Sequence, residues 1–104
     1  MPRIVVVTGA GAGVGRAVVE EFARQGYDVG LLSRDKDRLE RAAADIRSRY
    51  GVRAVAVSTD VAHAEAVESA ASEIEEKLGP IDVWVNVAMA TVFAPVSKLT
   101  AQEF

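Results

Sequence analysis

Thr8-Gly9-Ala10-Gly11-Ala12-Gly13-Val14-Gly15 follows directly on the run Arg3-Ile4-Val5-Val6-Val7-Thr8 and leads into a segment whose apolar residues recur at helical spacing. A β-branched run that ends at glycine is the pattern of a strand buried on both faces of a parallel sheet. Beyond the turn, Val14, Ala17, Val18 and Phe22 predict a helix over 14–25, closed by Gly26 where a left-handed C-terminal cap belongs. Strand, glycine turn and helix make one unit.

The unit repeats. Residues 28–33 read as a second strand, and Asp35 can cap a second helix with the stripe Leu39, Ala42, Ala43, Ile46 and Tyr50, ended by Gly51. Residues 53–58 predict a third strand, and Val67, Ala70, Ala71, Ile74 and Leu78 stripe a third helix that stops at Gly79-Pro80. A fourth strand runs from Ile81 to about Val87. A loop over 88–99 follows, and Thr100 with Glu103 forms a capping box at the start of a fourth helix. Strands alternating with helices of this length require right-handed crossovers, so the expected fold class is α/β with a doubly wound parallel sheet. It is incomplete at four strands, three helices and the start of a fourth, and one helical turn does not recover its nucleation cost. Residues 1–104 are accordingly expected to be one domain, the N-terminal portion of a longer fold.

The glycine spacing selects the kind of turn. G-x-G-x-x-G fails, because it needs glycine at Val14 when started from Gly9 and at Arg16 when started from Gly11. The nucleoside-triphosphate loop fails because no Gly-Lys-Ser/Thr follows. Thr-Gly-x-x-x-Gly-x-Gly fits, with Thr8, Gly9, Gly13 and Gly15. This pattern resembles the cofactor turn of the short-chain dehydrogenase/reductase family, a Rossmann-type dinucleotide-binding fold, and the resemblance extends over essentially the whole chain. It implies that Gly9 turns the chain out of the strand, that Gly13 and Val14 lie under the pyrophosphate with Gly11 also at the cofactor, and that Gly15 brings the helix close to the sheet. The helix N-terminus then faces the phosphates.

Ser33-Arg34 ends the second strand, where an NAD site of this fold places an acidic residue for the ribose 2′-hydroxyl. In the resembling family a small hydroxylated residue followed by arginine is typical of NADP-preferring members, and a guanidinium suits a 2′-phosphate. NADP is therefore expected, with NAD as the alternative and Asp35 as a competing acid that also reads as a helix cap. Ala12 stands where the family's NADP enzymes often carry a second basic residue. Asp60-Val61 matches the family's adenine-side acid, and helix capping by Asp60 is an equal reading. Asn86-Val87-Ala88-Met89 occupies the place of the family's Asn-Asn-Ala-Gly; Asn86 and Ala88 match, whereas Val87 and Met89 depart from it.

Composition sets the outer limits. Across 104 residues, 12 Lys and Arg face 15 Asp and Glu, giving a net charge of -3 with no basic block, which argues against nucleic acid. Cysteine is absent and His63 is the single histidine, so no thiolate or histidine-cluster metal site is expected, and His63 reads as a surface residue. No apolar run approaches a membrane span, and a cytoplasmic protein is expected. The family's serine, Tyr-x-x-x-Lys pair and further asparagine have no match here: Leu31 follows Tyr27 at the fourth position and Ala54 follows Tyr50. Ser97-Lys98 is adjacent rather than suitably spaced, so no catalytic residue is assigned. The resemblance thus implies the cofactor half of an NADP-dependent oxidoreductase acting on a small carbonyl or alcohol. A non-catalytic dinucleotide-binding or sensing module and an inactive fragment are the other readings, the latter with an uncovered sheet edge open to assembly such as a homo-oligomer.

Overall fold

The computed structural model of the chain describes residues 3–11 and 13–87. Strands β1 (Ile4–Thr8), β2 (Asp28–Ser33), β3 (Ala54–Ser58) and β4 (Val83–Asn86) alternate with helices α1 (Gly13–Arg24), α2 (Lys36–Tyr50) and α3 (Ala64–Leu78). The sheet is parallel, in the order β3-β2-β1-β4. The chain steps twice to one side and then reverses across β1 to reach β4. With right-handed crossovers, that reversal sends α1 and α2 to one face and α3 to the other.

Alternation along β1 and β2 divides the core accordingly. Val5, Val7, Val29 and Leu31 pack with Val19 and Ala23 of α1 and with Leu39, Ala42, Ala43 and Ile46 of α2. Ile4, Val6 and Leu32 pack with Ala70, Ile74 and Leu78 of α3. The central strand is buried on both sides, as a parallel sheet covered by helices demands. Gly30 belongs to the second face: a Cβ there would lie 2.6 Å from Ile74 Cδ1, so the missing side chain is the space into which Ile74 packs.

The amino edge of the sheet is braced by charge. Asp28 is buried and accepts hydrogen bonds from the Arg53 backbone N–H and Nε, both at 2.9 Å. Arg53 continues to the Leu78 carbonyl at the end of α3, tying two strands and a helix together. Asp82 accepts from the Ile4 N–H at 2.8 Å and sets the entry of β4 beside β1. Tyr27 lies at the same edge, packed edge-on against Phe22 and under the Arg3 guanidinium. Arg16 of α1 and Arg49 of α2 both engage Asp45 and Glu20, bridging the two helices.

Two details differ from the sequence pattern. Val14 and Ala17 are exposed, and the buried line of α1 is Gly15, Val19 and Ala23, flanked by half-buried Val18 and Phe22. The helix begins at the glycine turn, so its closest approach to the sheet is made by a residue without a side chain, which apolar spacing does not register. β4 is also shorter than expected, because Asp82 accepts from β1 before regular pairing starts at Val83. The expected start of a fourth helix lies outside the described residues. Among those residues, no helix is long and apolar enough to cross a membrane.

The Gly30–Ile74 contact yields a coupling test. Ile74→Ala is expected to cost about 2–5 kcal/mol through loss of burial and cavity formation. Gly30→Ala alone costs about 1–3 kcal/mol by overpacking. In the double variant the new methyl enters the vacated space, and urea unfolding should show a loss smaller than the sum by about 1 kcal/mol or more.

Candidate cofactor site

At the carboxyl edge every strand ends in a polar residue: Thr8, Ser33, Ser58 and Asn86. The chain departs from β1 toward β2 on one side, while β4 lies on the other, so the end of β1 is the topological switch point where open α/β sheets bind ligands. The buried Thr8 hydroxyl donates to Asn86 Oδ1 at 2.8 Å and joins the two strand ends.

The glycine turn lies at this point. Gly9 and Gly13 have φ of 68° and 61°, values L side chains rarely adopt, and the Ala10 N–H holds the bend to the Leu32 carbonyl at 3.2 Å. A Cβ on Gly15 would fall 1.8 Å from the Gly9 carbonyl oxygen, so α1 approaches the turn more closely than any other residue type permits. A Cβ built on Gly13 meets nothing within 4 Å, and Val14 is 64% exposed; no described side chain plugs the head of α1. The leading N–H groups of a helix lack intrahelical partners. The first turns of α2 and α3 carry Asp37 and Glu65, while that of α1 carries no acid, which leaves its positive end for an external anion.

The end of β2 forms the neighbouring wall. Ser33 Oγ accepts from the Asp35 N–H at 3.2 Å, and a Cβ on Gly11 would come within 3.4 Å of that hydroxyl and of Arg38 Cδ. Asp35 is the N-cap of α2, accepting from the Arg38 N–H at 3.1 Å. Arg34 projects into solvent at 79% side-chain exposure, its Nη1 3.9 Å from Asp60 Oδ2. Its carbonyl receives the Ser58 hydroxyl, and the Thr59 N–H bonds the Ser33 carbonyl at 2.8 Å, so the ends of β2 and β3 are fastened together.

Asp60 does not cap α3. Its Oδ1 accepts from the Ala62 N–H at 3.0 Å and closes the preceding turn, while His63 holds the N-cap position without a side-chain cap bond. The chain needs three further residues after Asp60 to swing from the sheet edge onto the α3 face, which moves the helix start beyond the reach of its carboxylate. His63 Nε2 lies 3.4 Å from Asp60 Oδ2 and is well exposed. Val61, Thr8, Trp84 and Asn86 border a recess of about 350 Å³ on the α3 side of the switch point. Ala88 lies outside the described residues, as do Ala12 and Met89.

Residues 3–104 match the profile of the short chain dehydrogenases. The chain belongs to that family. It is similar to 1-deoxy-11-beta-hydroxypentalenate dehydrogenase of Streptomyces exfoliatus, 41% identical over 96 residues, which are 92% of this chain and 34% of the relative. Among solved structures it resembles the alcohol dehydrogenase of Thermococcus sibiricus complexed with 5-hydroxy-NADP, with a TM-score of 0.77 and 36% identity over 81% of this chain and 36% of the other. It also resembles L-sorbose reductase of Gluconobacter frateurii complexed with NADPH and L-sorbose, with a TM-score of 0.82 and 30% identity over 98% of this chain and 39% of the other. The chain spans about a third of the length of these relatives.

Against this short chain dehydrogenase frame, the structure gathers Thr8, Gly9, Gly11, Gly13, Val14 and Gly15 around the turn, Ser33 beside Gly11, and Val61 and Asn86 at the recess. Arg34 and Asp60 stand together at the outer end of β2 and β3. Sequence reading missed Arg38, whose stem packs next to Gly11. A signal was present: a basic residue in the first turn of a helix opposes the macrodipole.

The two inner glycines fail for different reasons, and their alanine variants separate them. Gly15→Ala forces backbone apart and is expected to cost more than about 3 kcal/mol. Gly13→Ala meets no neighbour and should cost about 1–2 kcal/mol, the left-handed conformation alone. Gly13→Asn should recover part of that loss, since asparagine visits this region more readily. Chemical denaturation of the three variants checks the order.

Proposed function

We propose that the protein carrying this chain is an NADP-dependent oxidoreductase that moves a hydride between the nicotinamide cofactor and a carbonyl or alcohol substrate, and that residues 1–104 are its N-terminal, cofactor-holding portion in a cytoplasmic protein. The observation that carries this reading is the open head of α1 at the switch point, together with an exposed Arg34, rather than an acid committed to the ribose, directly after the neighbouring strand β2. Asp35, the acid nearest in sequence, is occupied as the cap of α2, which weakens the NAD alternative. The alcohol dehydrogenase and sorbose reductase it resembles carry NADP-type cofactors, in agreement with that preference.

In this reading Gly9, Gly11, Gly13, Val14 and Gly15 present backbone to the pyrophosphate, and the positive end of α1 offsets its charge. Thr8 holds Asn86 where both would line the ribose on the nicotinamide side, and Ala88 is assigned to the same site by its place in the family's motif. Ser33 and Arg34 receive the adenosine 2′-phosphate, the hydroxyl by donation and the guanidinium by charge. Asp60 and Val61 border the adenine. The cofactor, when bound, supplies the hydride acceptor or donor, and the chain positions it.

Arg34→Ala should weaken NADPH binding by about 10-fold to 100-fold, the loss typical of a hydrogen bond to a charged group, and leave NADH within about twofold. Titrating both nucleotides into wild type and variant by calorimetry checks this, and an unchanged preference in the variant removes Arg34 from the site.

A further inference from the structure

We propose that Arg16, Glu20, Asp45 and Arg49 form a positioning device that aims the head of α1 at the cofactor's pyrophosphate, with Arg16 as the member nearest the turn. The proposal rests on the cofactor-holding part of the reading above.

The four side chains close a square of alternating charge between two helices. α1 and α2 each cross from the carboxyl end of one strand to the amino end of the next, so they run in the same direction. Arg16 and Glu20 stand one turn apart on α1, and Asp45 and Arg49 one turn apart on α2. Arg16 Nη2 bonds Asp45 Oδ2, and its Nε faces Glu20 Oε2 at 3.3 Å. Arg49 Nη1 reaches the same two oxygens at 3.1 Å and 3.2 Å, and its guanidinium is held over the Tyr50 ring. Each arginine therefore contacts both acids and each acid both arginines. Two rungs between parallel helices restrain sliding and rotation together.

The place of Arg16 ties the square to the phosphate turn. It follows Gly15, whose backbone is pressed against the Gly9 carbonyl, and lies in the first turn of α1. For helix stability alone it is badly placed. A cation there opposes the macrodipole, and a base four residues ahead of an acid is the weaker order for such a pair. Its Nε is also buried without a hydrogen-bond partner among the described residues. An apolar side chain of similar length avoids all three costs.

What the arginine adds is a second restraint on the helix head. The Gly9–Gly15 contact sets how near α1 comes to β1, but a single contact point leaves a helix free to pivot about it. The square supplies the point that stops the pivot, so the leading N–H groups keep their aim before the anion arrives. Its two positive and two negative charges cancel, and its effect on a bound phosphate is one of geometry.

Calorimetric titration of NADPH and 2′-AMP into the full-length protein and its Arg16→Met, Asp45→Asn and doubly substituted forms tests the device. NADPH spans the turn, whereas 2′-AMP brings the adenosine end and no pyrophosphate. Arg16→Met is expected to weaken NADPH about tenfold, a coupling of the size that contacting residues show, and to leave 2′-AMP within about twofold. Its urea midpoint should stay near the wild-type value, because partly exposed ion pairs contribute little to stability and the buried unpaired N–H is gone. Asp45→Asn should weaken NADPH similarly, and the double variant no more than the larger single loss, since either change opens the square. Retained 2′-AMP binding shows that each variant is folded. Equal weakening of both ligands, or unchanged NADPH affinity in Arg16→Met, overturns the device. Tighter NADPH binding by Asp45→Asn overturns it as well, because a released Arg16 then touches the phosphates itself. If wild type binds neither NADPH nor NADH, the cofactor reading fails and the device falls with it.

Discussion

The carbonyl oxygen of Gly9 occupies the space where residue 15 would carry its first side-chain atom, at 1.8 Å from the ideal Cβ position. That contact fixes how near α1 stands to the end of β1. Because α1 is held there, its buried line of Gly15, Val19 and Ala23 meets the face of the sheet that also receives α2. The left-handed backbone at Gly9 and Gly13 lets the chain leave the strand and start the helix within a few residues. Close packing and an exposed helix head are therefore one arrangement: the residue that permits the first leaves no side chain to obstruct the second.

The two edges of the sheet divide the labour of stability and binding. At the amino edge, backbone N–H groups and guanidinium nitrogens are satisfied by the carboxylates of Asp28 and Asp82. Asp28, buried and fully paired in this way, together with the more exposed Asp82, holds the strand starts in register. At the carboxyl edge, Thr8, Ser33, Ser58 and Asn86 bond mostly to neighbouring strand ends or turns, and all but the buried Thr8 stay close to solvent. The rigid edge fixes the strands, so polar groups at the other edge keep their positions without a core around them. Loops held by such a scaffold are where binding residues concentrate.

Much of this was legible in the residues. β1 and β2 show as apolar runs, the stripes of α2 and α3 lie where their buried residues fall, and Asp35 and Gly51 mark the ends of α2, the latter at a φ of 71°. The glycine turn was legible because only glycine meets its steric demands. Other features were hidden by the same logic. Val14 counted as apolar and read as core, although at the helix head it faces outward and is 64% exposed. Asp60 looked like a helix cap because its spacing to the stripe allowed it, but the path from sheet edge to α3 consumed the intervening residues. The position of Arg38 beside Gly11 was hidden because the two are 27 positions apart in sequence, and proximity across a crossover is not written in local pattern.

Charge around the end of β2 decides what kind of ligand suits it. Arg34 has a carboxylate partner in Asp60, but at 3.9 Å and with the arginine side chain 79% exposed, solvent screens most of that attraction. Such a pair orients the guanidinium without neutralising it. A ribose hydroxyl offers no charge to displace Asp60, so it gains little from the arrangement. A dianionic phosphate interacts about twice as strongly as a single charge at equal distance and accepts from several donors at once. On the proposed NADP reading, the weak Arg34–Asp60 pair would be loose enough for a phosphate to replace it, while keeping the arginine near the end of β2 when none is bound.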